Sequence, residues 1–163
     1  MQVFIPYPDF HDSVACLDRQ RLGKQRVECG QILAALRSLR AHESGPGLPK
    51  GWTRHPATLM WRGHDSALAV YMTMCAAEWM ARGYKNTMVL PYSLETFKRS
   101  EGWNSSQELV PDGRDATLPE WWGRDDVHAS HRANLLRKDP EWYGKYGWTE
   151  EPGEGYVWPG END

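Results

Sequence analysis

Residues 56–83, PATLMWRGHDSALAVYMTMCAAEWMARG, decide the fold. Pro56 suits a first helical turn, where its missing N–H goes unused, and Gly83 suits a stop. Between them the run is apolar on nearly every side, with Arg62, Asp65, Ala69, Thr73 and Ala76 as a narrow wet stripe. Such a helix belongs in the middle of a bundle, so the pattern predicts a central buried helix over about 57–82. His64 shares a face with Trp61, Leu68, Tyr71 and Cys75. Two readings fit that face: a hydrogen-bonded core histidine, or a pocket in which Trp61, His64 and Tyr71 receive an extruded base.

Upstream, a long helix is predicted from Asp12 or Ser13, either a good N-cap, to about His42. Ala15, Leu22, Cys29, Leu33 and Leu36 form its core face, while Leu17, Arg21, Lys24, Glu28 and Gln31 form another. Gly23 and Gly30 each weaken a helix by about 1 kcal/mol relative to Ala, but let a neighbour approach closely. Residues 1–8 read as an extended lead-in and 43–50 as a turn-rich loop. Downstream, a short helix is predicted around 93–101, a long loop over 102–123, and a helix from Asp125 or Asp126 to about Lys138, before Pro140. The remainder reads as irregular, anchored by Trp148, Tyr156 and Trp158. The fold class is all-α: one helical domain over residues 1–148 and an acidic tail over 149–163.

Net charge is -3, with 19 basic and 22 acidic residues, but it is unevenly placed. Residues 149–163 hold five of the acidic residues and no Lys or Arg, so the first 148 carry 19 basic against 17 acidic. Within residues 19–40, six cations (Arg19, Arg21, Lys24, Arg26, Arg37, Arg40) face only Glu28. A basic helix in a mildly acidic protein is compatible with local, salt-sensitive DNA binding, or with a solvated helix face. Cys16, Cys29 and Cys75 form no C-x-x-C pair and read as reduced core thiols. No signal peptide or membrane-length run is present, which predicts a soluble, cytoplasmic chain without a membrane partner, taken as a monomer.

Glu28 lies one turn beyond Lys24 and two beyond Arg21. Spacing alone favours a Lys24–Glu28 ion pair of a few tenths of a kcal/mol. The alternative is a carboxylate that stabilises developing positive charge or moves a proton while the cations hold phosphates. His128 and His131 have metal-compatible spacing, but no ligand set completes them, so no metal is assigned. Phosphate contacts from His131, Arg132, Arg137 and Lys138 fit, as does ordinary exposed polarity. In residues 142–147, WYGKYG, Trp142 and Tyr143 beside Lys145 would stack on bases or tie down the C-terminal segment.

These segments resemble the pyrimidine-dimer DNA glycosylases, the phage endonuclease V family. Gln20-Arg21-Leu22 followed by Glu28 is similar to its first-helix motif. His55-Pro56-Ala57-Thr58, Gly63-His64, Tyr71 and Arg82-Gly83-Tyr84 resemble its second helix, and Pro140-Glu141-Trp142-Tyr143 its terminal aromatic block. Leu-Gly-Lys-Gln-Arg-Val-Glu, Ser-His-Arg and Tyr-Val-Trp-Pro elements resemble an uncharacterised bacterial and phage branch. The resemblance implies an all-α, metal-free enzyme whose backbone α-amine attacks C1′ of a damaged nucleotide and then permits strand cleavage. An α-amine titrates near pH 8, so a usable neutral fraction exists at pH 7. By the same resemblance Glu28 is the catalytic acid, Arg21 replaces the family's His, and His64 matches the His of the second helix. Because residue 2 is Gln, the exposed amine would be that of Met1. Val27 and Gln31 stand where the family places arginines, so phosphate contacts would come from Arg19, Lys24 or Arg26.

The implied function is a DNA N-glycosylase acting on a damaged or modified pyrimidine in duplex DNA, without cofactor, with lyase activity through Met1. Two other readings stay open: a non-catalytic module for distorted or modified DNA, and an N-glycosidase for free nucleosides or nucleotides.

Overall fold

The computed structural model describes residues 1–45, 51–94 and 117–159. They form α1 (Phe10–Ala15), α2 (Arg19–Glu43), α3 (Pro56–Leu59), α4 (Asp65–Ala81), α5 (Asp125–Lys138) and α6 (Pro140–Tyr143), with a 3₁₀ turn over Gly144–Tyr146. There is no strand among the described residues, and the fold is all-α. No described helix is long and apolar enough to cross a membrane.

The central helix lies where the pattern put it, but it is shorter. Gly63 adopts φ +85°, a left-handed conformation that suits glycine, and splits the expected 57–82 helix into α3 and α4. His64 is thereby the N-cap residue of α4 rather than a mid-helix side chain. The expected wet stripe is also wrong: Ala69, Thr73 and Ala76 are buried, and Thr73 donates to the Ala69 carbonyl. The first helix is split as well. Asp18 accepts from the N–H groups of Gln20 and Arg21, starting α2 afresh after α1 has ended. The carbonyls of the intervening turn are bound by side chains: Arg82 donates to Ala15 and Leu17, and Trp142 to Cys16. The short helix expected at 93–101 falls mostly outside the described residues, as does most of the 102–123 loop.

α4 packs chiefly against α2. Leu22, Cys29, Ile32, Leu33 and Leu36 meet Leu68, Tyr71, Met72 and Cys75 in one buried cluster. The glycines permit this closeness. A Cβ on Gly23 would lie 3.1 Å from the Trp79 ring, and one on Gly30 would lie 3.5 Å from Met72. All three cysteines are buried free thiols.

The N-terminal segment runs extended through this core, with Val3 and Ile5 fully buried. A buried chain outside a helix or sheet must have its backbone polar groups satisfied by other partners. Here side chains do it. Phe4 donates to Gln25 and accepts from the Tyr71 hydroxyl. Ile5 donates to His131 Nδ1 (3.3 Å), and its carbonyl lies 2.9 Å from His128 Nδ1. Arg132 donates to Pro6, and Ser13 Oγ serves both the N–H and the carbonyl of Tyr7. This lacing sets the position of Met1.

The acidic tail packs on α5. Glu150 pairs with Arg132 and Glu154 with Arg137, while Asn134 and Ser130 bond the backbone of Gly155 and Val157. Tyr156 lies against Phe4 and His131, and Trp158 against His55.

Candidate active site

Two adjacent hollows open along the first turns of α2. The outer cleft, of about 800 Å³, runs between Trp79 and Trp142 along a floor that includes Arg21, Lys24, Val27 and Glu28. The inner recess, of about 190 Å³, is lined by Met1, Gln2, Phe4, Lys138 and Tyr156. Gln20, Arg21, Lys24 and Glu28 belong to both. Glu28 therefore stands at the junction, with Met1 on its inner side.

Helical geometry places Glu28 one turn from Lys24 and from the buried Gln25. Among the described residues, the Lys24–Glu28 ion pair favoured by spacing does not form. Instead Gln25 Nε2 donates to Glu28 Oε2 at 3.2 Å, and the backbone of Gln2 hydrogen-bonds the same carboxylate. Burial raises the pKa of Glu28. The positive end of Met1, the Gln2 bond and the charges of Lys24 and Lys138 act against that rise. Desolvation lowers the pKa of Lys138, and its neighbours Arg137, Arg21 and Lys24 lower it further. A half-buried acid thus lies beneath a crowd of cations.

The other cations differ in how they are held. Arg21 is held by Asp18 (3.3 Å) and Asp139 (3.7 Å) and donates to the Lys138 carbonyl, so it joins α2 to the α5–α6 corner. Arg26 donates to Asn86 and lies 4.2 Å from the Trp79 ring centroid. Arg19 lies 5.0 Å from that of Tyr84, which itself packs on Trp79. Lys145 caps the Trp142 ring at 3.5 Å. Lys24 and Arg19 are exposed at the cleft.

Several residues expected at the site are elsewhere. Trp61 is fully buried edge-on to Trp121, and Tyr71 is fully buried with its hydroxyl on Phe4. Tyr143 is buried and donates to Asp18. None of the three lines either hollow. His64 bonds the Thr117 carbonyl beside a separate surface hollow. His131 is completely buried against Ile5, and Arg132 is bonded to Glu150 and Pro6; neither lines the two hollows. Trp142 does line the outer cleft.

Two lining residues, Trp79 and Tyr156, escaped sequence reading, and so did the buried Gln25 behind Glu28. Gln25 carried a signal, because it falls on the apolar stripe between Leu22 and Cys29, where an amide must find partners. Gly23 gave a weaker one for a large ring opposite.

No curated protein and no solved structure matches the chain. The sequence model of the family described as pyrimidine dimer DNA glycosylase matches residues 1–91, which include Met1, the whole of α2, and α4. The chain belongs to the pyrimidine dimer DNA glycosylase family.

Proposed function

We propose that the chain is a DNA N-glycosylase for a damaged or modified pyrimidine, using the Met1 amine as nucleophile and Glu28 as its proton-handling partner. The observation that carries this reading is the presence of Met1 and Glu28 in the lining of one recess, with Glu28 also lining a larger, cation-rimmed cleft beside it. The neutral amine nitrogen bonds to C1′ while the C1′–N1 pair leaves with the pyrimidine. The pyrimidine gains one proton and the nitrogen gives one up. The nitrogen lone pair then opens the C1′–O4′ bond, O4′ accepts a proton from Glu28, and a C1′=N iminium results. Removal of a 2′ proton breaks C3′–O3′ and cuts the strand. A carboxyl whose pKa burial has raised is suited to protonate O4′. Lys24 and Arg19 contact backbone phosphates, and Arg21 and Arg26 add positive potential to the same rim. Trp142, its ring capped by Lys145, forms a stacking wall for an unpaired base.

Duplex oligonucleotides carrying a cyclobutane dimer, an abasic site or a modified pyrimidine test this reading, with base release and strand scission scored separately. Release that falls ~10²–10⁴-fold in Glu28→Gln supports it. Release from no substrate, with intact binding, leaves a DNA-binding module instead.

A further inference from the structure

The mechanism above uses Met1 and Glu28 but leaves open what holds them in register. They come from different elements: an extended N-terminal chain and the third turn of α2. One buried side chain contacts both. Gln25 is fully buried. Its Oε1 accepts from the Phe4 N–H at 2.7 Å, and its Nε2 donates to the Gln2 carbonyl at 2.8 Å and to Glu28 Oε2 at 3.2 Å. An amide has two donors and one oxygen, and here all are engaged. The Gln2 and Phe4 bonds imitate a strand ladder across the residues next to Met1. The remaining donor fixes the carboxylate.

We infer that Gln25 is a positioning residue that sets the Met1 amine against the Glu28 carboxylate and fixes that carboxylate's orientation. It touches no substrate. The inference rests on the amine mechanism for its catalytic meaning, but the tie between Gln25 and Glu28 can be read without DNA. A methyl-terminated side chain at this position frees the Gln2 carbonyl and the Phe4 N–H, and it removes a donor to a charged acceptor. Met1, Lys24, Lys138 and the Gln2 backbone still face Glu28 in that variant, as do Arg21 and Tyr156 across the recess.

The experiment compares wild type with Gln25→Met and Ser13→Ala. Ser13→Ala loosens the same segment at Tyr7, away from Glu28. The ¹³C titration of the Glu28 carboxyl, without DNA, should move upward by about half a pH unit or more in Gln25→Met and stay in place in Ser13→Ala. On an abasic duplex, Gln25→Met should slow covalent adduct formation ~10–100-fold and shift its acid limb the same way, with duplex affinity within about twofold of wild type. If Gln25→Met does not fold, the side-chain amide resonances of wild-type Gln25 serve: they should move with the Glu28 titration, and resonances indifferent to it overturn the inference. An unmoved Glu28 titration overturns the inference, as does a Ser13→Ala variant that slows adduct formation equally. Wild type that forms no adduct on any DNA overturns the amine mechanism instead, and the titration then judges Gln25 alone.

Discussion

Two polar clusters in this molecule look alike in sequence and differ in what they have left to offer. On α5, His128, His131 and Arg132 crowd three titratable side chains into five residues. Each is held by the fold: His128 by Ile5 and Gly123, His131 through Nδ1 by Ile5, Arg132 by Pro6 and Glu150; the one spare group, His131 Nε2, is buried and faces neither hollow. On α2, Glu28 and Lys24 line a hollow, and the carboxylate is held from one side only, by Gln25 and Gln2. The difference teaches that side-chain type marks a candidate, while unspent hydrogen-bonding capacity facing a cavity marks a site. The α5 cluster still serves function indirectly, because it secures the extended segment that carries Met1.

Glu28→Gln should separate the clusters most sharply. Base release is expected to fall by two orders of magnitude or more, roughly 10²–10⁴-fold. The fold should become slightly more stable at pH 7. The sign follows from the raised pKa: the folded state holds the Glu28 proton more tightly than the unfolded chain, so ionisation at neutral pH weakens folding, and the amide removes that penalty. A thermal melt at pH 7 and another well below pH 4 check this, since the advantage should vanish in acid.

His131→Ala should do the reverse, costing stability of about 2–4 kcal/mol through a lost hydrogen bond and a cavity. Burial pushes the His131 imidazole down to about 3. The unfolded chain therefore takes up a proton near pH 6.5 that the folded one refuses, and wild-type stability should decline as pH falls from about 6.5 toward 3. In His131→Asn that decline should be shallower, with His128, also lowered by burial, accounting for part of the remainder. Denaturant unfolding across that range measures both slopes.

Smaller effects should discriminate between the cations. Arg132→Ala should cost about 1–2 kcal/mol of stability by releasing Glu150 and Pro6, with duplex affinity little changed. Lys24→Ala should leave the melting temperature in place, weaken duplex binding a few-fold, and lower the salt dependence of log K by about 1. A Lys24 variant with wild-type salt dependence would return the basic face of α2 to ordinary solvated charge.

The long-range features were the ones least legible in the sequence. The central position of α4, the Pro56 start and the span of α5 follow from local pattern, and the structure repeats them. The breaks at Asp18 and Gly63 were readable too, since an Asp before a basic run and a lone glycine are known cap and turn residues, but apolar continuity overrode them. Tyr71, Trp61 and His131 were misread for another reason. Their partners are remote: Phe4 lies 67 residues before Tyr71, and Ile5 lies 126 before His131. Helical spacing reports which residues share a face, not whether that face meets a cavity or a buried strand of chain. Glu28 was legible as the single acid amid six cations; the recess beside it was not.

Reductive trapping with borohydride, followed by peptide mapping, tests the central claim most directly. Wild-type protein incubated with dimer-containing or abasic duplex should yield one adduct, joined through the Met1 nitrogen, and Glu28→Gln should accumulate little of it. An adduct mapped to Lys24 or Lys138, or base release with no trappable adduct at all, would contradict it.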